Sequence, residues 1–441
     1  MELIKVAEIL LVFIVLPTAV FYLVARHSPF ALAVCYHVII SLFIFQASLS
    51  YLQSFGALAR RRFKELPTAK HQPVPKTTFI ISAYLPNEVE VVEETLLNVL
   101  QKVERPASGI EVILAYNTPE MVEIETRLKE LAYKWPELIL ANAHGSKSKS
   151  ENLNYVLELA SGGMIVLLDA DHIVRPDCLF RAWRWLDEGY DVVQGRCRIR
   201  NGHESAISAL VEVEFEIIYG ISHYAKSLMF DAALFGGANG YWKAPVLKAV
   251  KFHPEMLTED IDATLRTVLS GHRIVHDRSI VSEELAPSTL SRWWHQRKRW
   301  AQGWFQCSIK HQWGVLASKF LKFRQKFYWT LLLFWRIFYD VASQFLFPIV
   351  FAYWLHKGAV EFPMTPFIWF AIFYTMLSGP VEALAAYKDA VRPIPSLLRY
   401  PYYAVVAFPY TLAKNLLQLV SVRDELFGER EWIISARSTK Q

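Results

Sequence analysis

Two long stretches with almost no charge open this chain, and they limit what it can fold into. Residues 9–25 carry no charged side chain, and residues 28–59 carry none apart from a protonatable His37. A helix that crosses a bilayer needs about 20 predominantly apolar residues. The two stretches therefore predict a helical hairpin, residues 1–59, with Arg26 and His27 at its tip. A cleaved signal peptide would explain the first stretch alone. Its basic leading region is only Lys5, it shows no clear small-residue cleavage site, and a second apolar stretch follows at once. Arg60, Arg61, Arg62 and Lys64 come directly after the hairpin. Excess Lys and Arg marks the cytosolic side of a membrane segment, so both hairpin ends and the sequence that follows are expected in the cytosol.

Composition agrees with a lipid-facing chain. Hydrophobic residues are 53% and aromatics 14% of the 441, so apolar surface must meet something other than water. The net charge of +5 is too small for the dense basic face that nucleic acid requires. Cys35, Cys178, Cys197 and Cys307 show no paired spacing. No disulfide framework or zinc site follows, and a reducing compartment suits them.

Residues 75–310 read differently, as a water-soluble α/β domain. Short apolar runs at 78–83, 112–115 and 164–168 predict buried parallel strands. Residues 90–103, between the first two, place Val91, Val92, Leu96, Leu97 and Leu100 on one helical face. Strand, helix, strand in that order implies a right-handed crossover, with ligands outside the carboxyl ends of the strands. Residues 311–335 are basic and aromatic and are expected at the membrane surface. The lipid pattern returns over 336–422. Residues 362–381 make a good span; 341–356 are shorter, and their upstream extension holds Arg336 and Asp340, spaced to neutralise each other on one face. Residues 400–413 contain Pro401 and Pro409 and either span the bilayer or lie in its interface. The tail, 423–441, has balanced charges.

Four local signals have chemical content, and each has a plainer reading. Asp169 and Asp171 leave a buried strand one residue apart, which suits a hard divalent cation on a diphosphate, or merely a turn. Thr258, Glu259 and Asp260 offer a carboxylate base, and equally a cap and acidic first turn for a helix over residues 259–269. Gln296, Arg297, Lys298, Arg299 and Trp300 pair a phosphate-binding Arg fork with a flat ring for a sugar, or form an amphipathic helix on a membrane surface. Gly236, Gly237, Asn239 and Gly240 allow close backbone approach to a ligand, or a flexible turn.

Taken together and in this order, the four signals resemble the membrane-integrated inverting family 2 glycosyltransferases of the cellulose, chitin and hyaluronan synthase type. The resemblance runs from about Thr77 to Gln312. It includes Ser82-Ala83-Tyr84 as the first-strand nucleotide segment, and Lys149 with Asn152 and Asn154 as a second one. Two departures stand out. Leu85-Pro86 interrupt the usual run into Asn87-Glu88, and Asn117 replaces the acidic residue expected at the end of the second strand.

The resemblance implies a GT-A-type, Rossmann-like α/β catalytic domain, cytosolic and inserted between transmembrane helices. It implies a uridine diphosphate sugar as donor, held by Ala83, Tyr84, Asn117, Lys149, Asp169, Gln296 and Arg299. Mg²⁺ or Mn²⁺ would sit on Asp169 and Asp171. Asp260, with Glu259 beside it, would be the catalytic base. Gly237, Asn239 and Trp300 would meet the acceptor. The expected product is a β-linked polymer extended at the membrane. The alternatives are a single sugar added to a lipid acceptor and a catalytically silent binding subunit. The expected partners are the donor, membrane lipid and a glycan or lipid acceptor, with any accessory subunit undefined.

Overall fold

A computed structural model describes residues 2–59, 72–358 and 364–429. Arg60, Arg61, Arg62 and Lys64, on which the cytosolic expectation rests, lie outside the described residues, as does the chain beyond 429.

The middle of the chain folds around one eight-stranded sheet in the order β3-β2-β1-β4-β7-β6-β8-β5. Its strands are β1 (Thr77–Tyr84), β2 (Ile110–Asn117), β3 (Leu138–Asn142), β4 (Met164–Asp169), β5 (Ile173–Val174), β6 (Val192–Ile199), β7 (Gly240–Lys243) and β8 (Ile274–Glu284). The three expected strands are found, neighbouring and parallel, none extending more than two residues beyond either end of the apolar run that announced it. The helix Val92–Lys102 connects β1 to β2 and buries Val92, Leu96, Val99 and Leu100. The chain leaves β1 for β2 on one side, whereas β4 pairs on the other. This reversal opens a crevice at the carboxyl ends of β1 and β4, where such sheets hold ligands. Register aligns Tyr84 with Asn117 and Ser82 with Asp169 along that edge.

Five helices are long and apolar enough to cross a membrane: Ala7–His27, Pro29–Leu58, Phe323–Lys357, Pro366–Asp389 and Arg399–Leu426. Val12, Val20, Phe30, Phe373, Leu377 and Val405 on them are exposed, a display that lipid rather than water would cover. The chain is a membrane protein.

Two boundaries and one pairing differ from the sequence reading. Residues 311–335 are not a separate region: the helix Leu290–Ala317 runs through the first part, and Phe323–Lys357 begins in the second. The last helix does not end near Lys414 but continues to Leu426, taking Arg423 into its final turn. Buried Leu417, Leu419 and Val420 hold this extension in place. Arg336 and Asp340 lie one turn apart, but no ion pair joins them among the described residues. The Arg336 guanidinium rests over the Trp304 ring at 4.9 Å.

Buried charge joins the sheet to the membrane helices. Asp389, at the end of Pro366–Asp389, accepts from Arg196 of β6 at 3.0 Å and pairs with Arg278 of β8 at 2.8 Å. Arg196 also pairs with Glu216. Removing one member of such a network leaves an uncompensated buried charge. Asp389→Ala should therefore destabilise the protein by about 3–5 kcal/mol, read as a lowered melting temperature in detergent, with Asp389→Asn intermediate.

Candidate active site

The site begins where β1 ends. Leu85-Pro86, which interrupt the expected Asn-Glu run, are absorbed by one helical turn, Leu85–Glu88. Leu85 is fully buried in the core and Pro86 occupies the first turn, where its missing N–H costs nothing. The turn carries Glu88 back, so that its Oε2 accepts from the Tyr84 N–H at 2.8 Å. At the end of β2, Asn117 Nδ2 donates to Ser146 O at 3.0 Å and Oδ1 accepts from Asn152 Nδ2 at 2.8 Å. Asn152 also donates to Ala83 O at 3.3 Å, so it ties the two strand ends together. Its own Oδ1 is buried without a partner, on the wall of the cavity.

Lys149 opens the helix Lys149–Leu157, which Ser148 caps by accepting from Glu151 N at 3.2 Å. Its ammonium pairs with Asp169 at the end of β4, donates to Gly237 O at 2.9 Å and lies 3.9 Å from Glu259 Oε1. Burial disfavours this charge, but Asp169, Glu259 and Asp260 outweigh it and hold the Lys149 pKa above its ordinary value. Gly237 has φ +90°, and a Cβ there would fall 3.1 Å from Asp260 Oδ2 and 3.6 Å from Lys149 Nζ. A side chain would thus be strained and would crowd the carboxylate.

Asp260 lies in the first turn of Glu259–Leu269, a helix with the expected bounds. Thr258 precedes it, but its side chain does not cap. Thr258 Oγ1 is 3.6 Å from Cys307 Sγ on the Leu290–Ala317 helix, and Gly303 of that helix packs so close that a Cβ would clash with Thr258. Burial, and then the neighbouring Glu259 charge, push Asp260 up to about 7, against the pull of Lys149. Asp262, fully buried, is held by Arg266 at 2.7 Å, His311 at 2.8 Å, and His253 and Lys310 at 2.9 Å. His311 and Lys310 belong to Leu290–Ala317, so Asp262 fastens the carboxylate-bearing helix to the Arg-bearing one.

On that second helix Arg299 donates to Leu257 O at 3.1 Å, holding the segment just before Thr258. Arg297 lies 4.2 Å from the Trp300 ring centroid and pairs with buried Glu214 at 2.5 Å. Glu214 also takes Lys414 at 3.1 Å and the Tyr410 hydroxyl at 2.8 Å, both from the last membrane helix. Burial opposes the Glu214 charge, but Arg297 and Lys414 outweigh it and bring its pKa down to about 2.

All these elements face one cavity of about 690 Å³. Ala83, Tyr84, Asn117, Lys149 and Asp169 line it, and so do Gly237, Glu259, Asp260, Gln296, Arg299 and Trp300. Two expected residues do not. Asn239 is completely buried, with φ +51°, and its Nδ2 donates to Arg196 O and Ile280 O, both at 3.2 Å. It bridges β6 and β8 rather than reaching an acceptor. Asp171 is equally buried and accepts from Leu285 N at 3.0 Å, behind the wall. On the wall itself are His172 and Glu284, with Nε2 and Oε1 3.7 Å apart. Together with Cys197 they form the group of ligand atoms close enough to share an ion. Glu88, His172, Glu214 and Glu284 were not singled out as site residues. The run Glu212, Glu214, Glu216 in otherwise apolar sequence was the available signal for the third of them.

Residues 75–303 match the model of a family described as glycosyltransferase like family 2. The chain is 27% identical to a poly-β-1,6-N-acetyl-D-glucosamine synthase of Staphylococcus epidermidis over 261 residues, 58% of this chain and 60% of that protein. It is 28% identical to the synthase of the same description from Staphylococcus aureus (strain COL), over 55% of this chain and 58% of that one. The chain thus matches less than two thirds of these relatives' length. Among solved structures, mannosyltransferase PcManGT from Pyrobaculum calidifontis, in complex with GDP-Man and Mn²⁺, superposes with a TM-score of 0.59 at 19% identity, covering 90% of this chain and all of that one. This likeness shows the GT-A fold.

The balance around Lys149 can be tested without turnover. Lys149→Met removes the main countercharge beside Asp260, whose raised pKa should rise further. A carboxyl raised by the fold contributes stability while it is protonated and loses that contribution as pH climbs through its folded pKa. The variant should therefore melt higher at about pH 6 than at about pH 8, by a wider margin than wild type. Equal margins would show that Lys149 does not set the balance.

Proposed function

The chain belongs to glycosyltransferase-like family 2, and from that premise we propose that it extends a β-linked polysaccharide at the membrane, by inverting transfer of a hexose from a nucleoside diphosphate sugar. One observation carries the polymer reading. The cavity that holds Lys149, Asp169 and Asp260 continues without a break between the membrane helices, where Ser50, Thr375, Ser378, Glu382, Tyr403 and Lys414 line it. Polar side chains are costly inside a bilayer unless they face a water-filled path or one another. A path of this kind, starting at the reacting groups, suits a hydrophilic chain fed through it one sugar at a time.

In this reading Ala83, Tyr84, Asn117 and Lys149 hold the nucleoside side of the donor, with a uridine base as the proposed occupant. The buried acceptor Asn152 Oδ1 supports a ligand donor at that place. Asp169 and Glu284, both on the cavity wall, would offer carboxylate oxygens to Mg²⁺ or Mn²⁺, with the His172 imidazole beside Glu284. Asp171 would join them only by leaving Leu285 N. When bound, the ion would neutralise charge on the departing diphosphate. Asp260, with Glu259 beside it sustaining its raised pKa, removes the proton from the acceptor hydroxyl. That oxygen attacks the anomeric carbon on the face opposite the diphosphate, whose bond to carbon breaks, and configuration inverts. Gln296 and Arg299 receive the diphosphate charge, and Trp300, stiffened by Arg297 against its face, supports the acceptor sugar. The catalytic domain is proposed to lie on the cytosolic side, where nucleotide sugars are made.

The deciding experiment offers membranes a panel of labelled nucleotide sugars and separates polymer from organic-extractable lipid. Label in polymer is expected; label only in the lipid fraction would replace this reading with glycolipid synthesis. Asp260→Asn should lower turnover by about 10²–10⁴-fold, the contribution of a well-placed general base, with donor affinity nearly unchanged by calorimetry. In the wild type kcat/KM should fall as pH drops below about 7, because protonated Asp260 cannot accept a proton. A flat profile from pH 6 to pH 8 would remove Asp260 from that role.

A further inference from the structure

Among the described residues, two cations on the cavity wall have no hydrogen-bond or ion-pair partner. Lys149, Arg297 and Lys414 are each paired with a carboxylate, and Arg299 with a carbonyl. Lys226, on the helix His223–Phe230, and Arg336, at the start of Arg336–Ala342, line the same cavity. Neither forms a hydrogen bond or ion pair among the described residues. Asp340, one turn beyond Arg336, closes no ion pair with it, and Glu214 is already taken by three other groups. The Trp304 face offsets part of the Arg336 charge, but it leaves the in-plane N–H donors unused.

A third unsatisfied group stands beside them. Tyr328 is 3% exposed, lines the cavity, and has a buried hydroxyl with no partner. Phe230, one turn after Lys226, stacks on Tyr328 with ring centroids 4.9 Å apart, which brings the phenol to the Lys226 helix. Burial, and then the charge of Arg336, lower the Lys226 pKa to about 7. Lys226 is half-buried and Arg336 is exposed, so on the cavity wall both present their charge to its interior. Two such cations and an idle hydroxyl on one wall are what an anion would satisfy.

The depth of the site narrows the anion's source. Arg336 lies within the spanning helix Phe323–Lys357, and the Lys226 helix follows Ser222, whose hydroxyl donates to Gln53 of Pro29–Leu58 at 2.6 Å. Phe43, Leu331 and Leu332 continue the wall with apolar surface. An Arg fork, a Lys point charge and a hydroxyl are suited to phosphate oxygens, and the apolar surface to a hydrocarbon chain. We propose that Lys226, Arg336 and Tyr328 form a second site in the cavity for a phosphate-class anion presented at the bilayer surface, as a lipid headgroup or as free phosphate. This goes beyond the transfer reaction and does not rest on it, because binding is read without turnover.

Native mass spectrometry of the full chain in detergent tests the site, with dioleoyl phosphatidic acid, dioleoyl phosphatidylcholine and inorganic phosphate as probes. Wild type should retain phosphatidic acid in preference to phosphatidylcholine. Lys226→Met with Arg336→Met should weaken that retention by about tenfold or more, as expected when charge-assisted bonds are lost. Lys226→Arg should keep the lipid, and Tyr328→Phe should weaken it less than the double change. Inorganic phosphate that displaces the lipid at millimolar concentration would identify free phosphate as a sufficient ligand; failure to displace it would assign the site to a lipid. Equal retention by wild type and the double variant, or no preference for phosphatidic acid, would overturn the proposal. If the double variant does not fold, Lys226→Gln alone decides, with Lys226→Arg as its folding control.

Discussion

A carboxylate almost out of reach of water, Glu214, joins three parts of this protein that are far apart in sequence. It sits on the helix Ala206–Phe215, takes Arg297 from the helix that bears Trp300, and takes Lys414 and Tyr410 from the last membrane helix. The group stays ionised because two cations and a hydroxyl outweigh its burial. Its consequences are geometric. Arg297 is held against the face of Trp300, so the ring's position depends on where the membrane helix places Lys414 and Tyr410. Catalytic domain and membrane helices therefore cannot be treated as a soluble enzyme with an anchor. The wall of one is the support of the other, and Asp389 with Arg196 and Arg278 repeats the arrangement at strands β6 and β8.

Around Lys149 the balance is closer. Three carboxylates share one ammonium, and they do not share it equally. Asp169 takes the direct contact, Glu259 stands 3.9 Å away, and Asp260 is left with burial and a like-charged neighbour. Its raised pKa follows from that ranking. A base must be deprotonated at working pH yet still hold a proton well, and a value near neutrality satisfies both demands. Gly237 belongs to the same balance, because its missing side chain leaves room for Asp260 and its carbonyl takes part of the Lys149 charge.

Much of the fold was legible because each part obeys a local rule. The hairpin is visible as missing charge, the strands as short β-rich apolar runs, and Glu259–Leu269 as an acidic first turn before an apolar face, although the expected Thr258 cap does not form. What was not legible depended on contacts distant in sequence. Nothing near Asn239 says that its amide will bridge β6 and β8. Nothing near Asp171 says that Leu285 N will claim it, 114 residues away. The last helix was cut short at Lys414 because a charge there looks like an exit from lipid. That charge is in fact directed inward to Glu214, and the helix continues for three more turns.

The cavity also explains two irregularities that local sequence does not. Glu216–Ser222 and Leu331–Trp335 are π-helical, and Ile217, Tyr219, Ser222, Leu331 and Trp335 from them line the cavity. Such segments loosen the regular hydrogen-bond ladder and are uncommon except where a site requires them. Each widens its helix by a fraction of a turn and shifts which side chains meet the cavity. Lys226 comes four residues after the first segment, and Arg336 directly follows the second. In a regular helix the residues beyond each π segment would be rotated to another face. The same distortion that opens the cavity thus sets the phase with which both unpaired cations meet its wall.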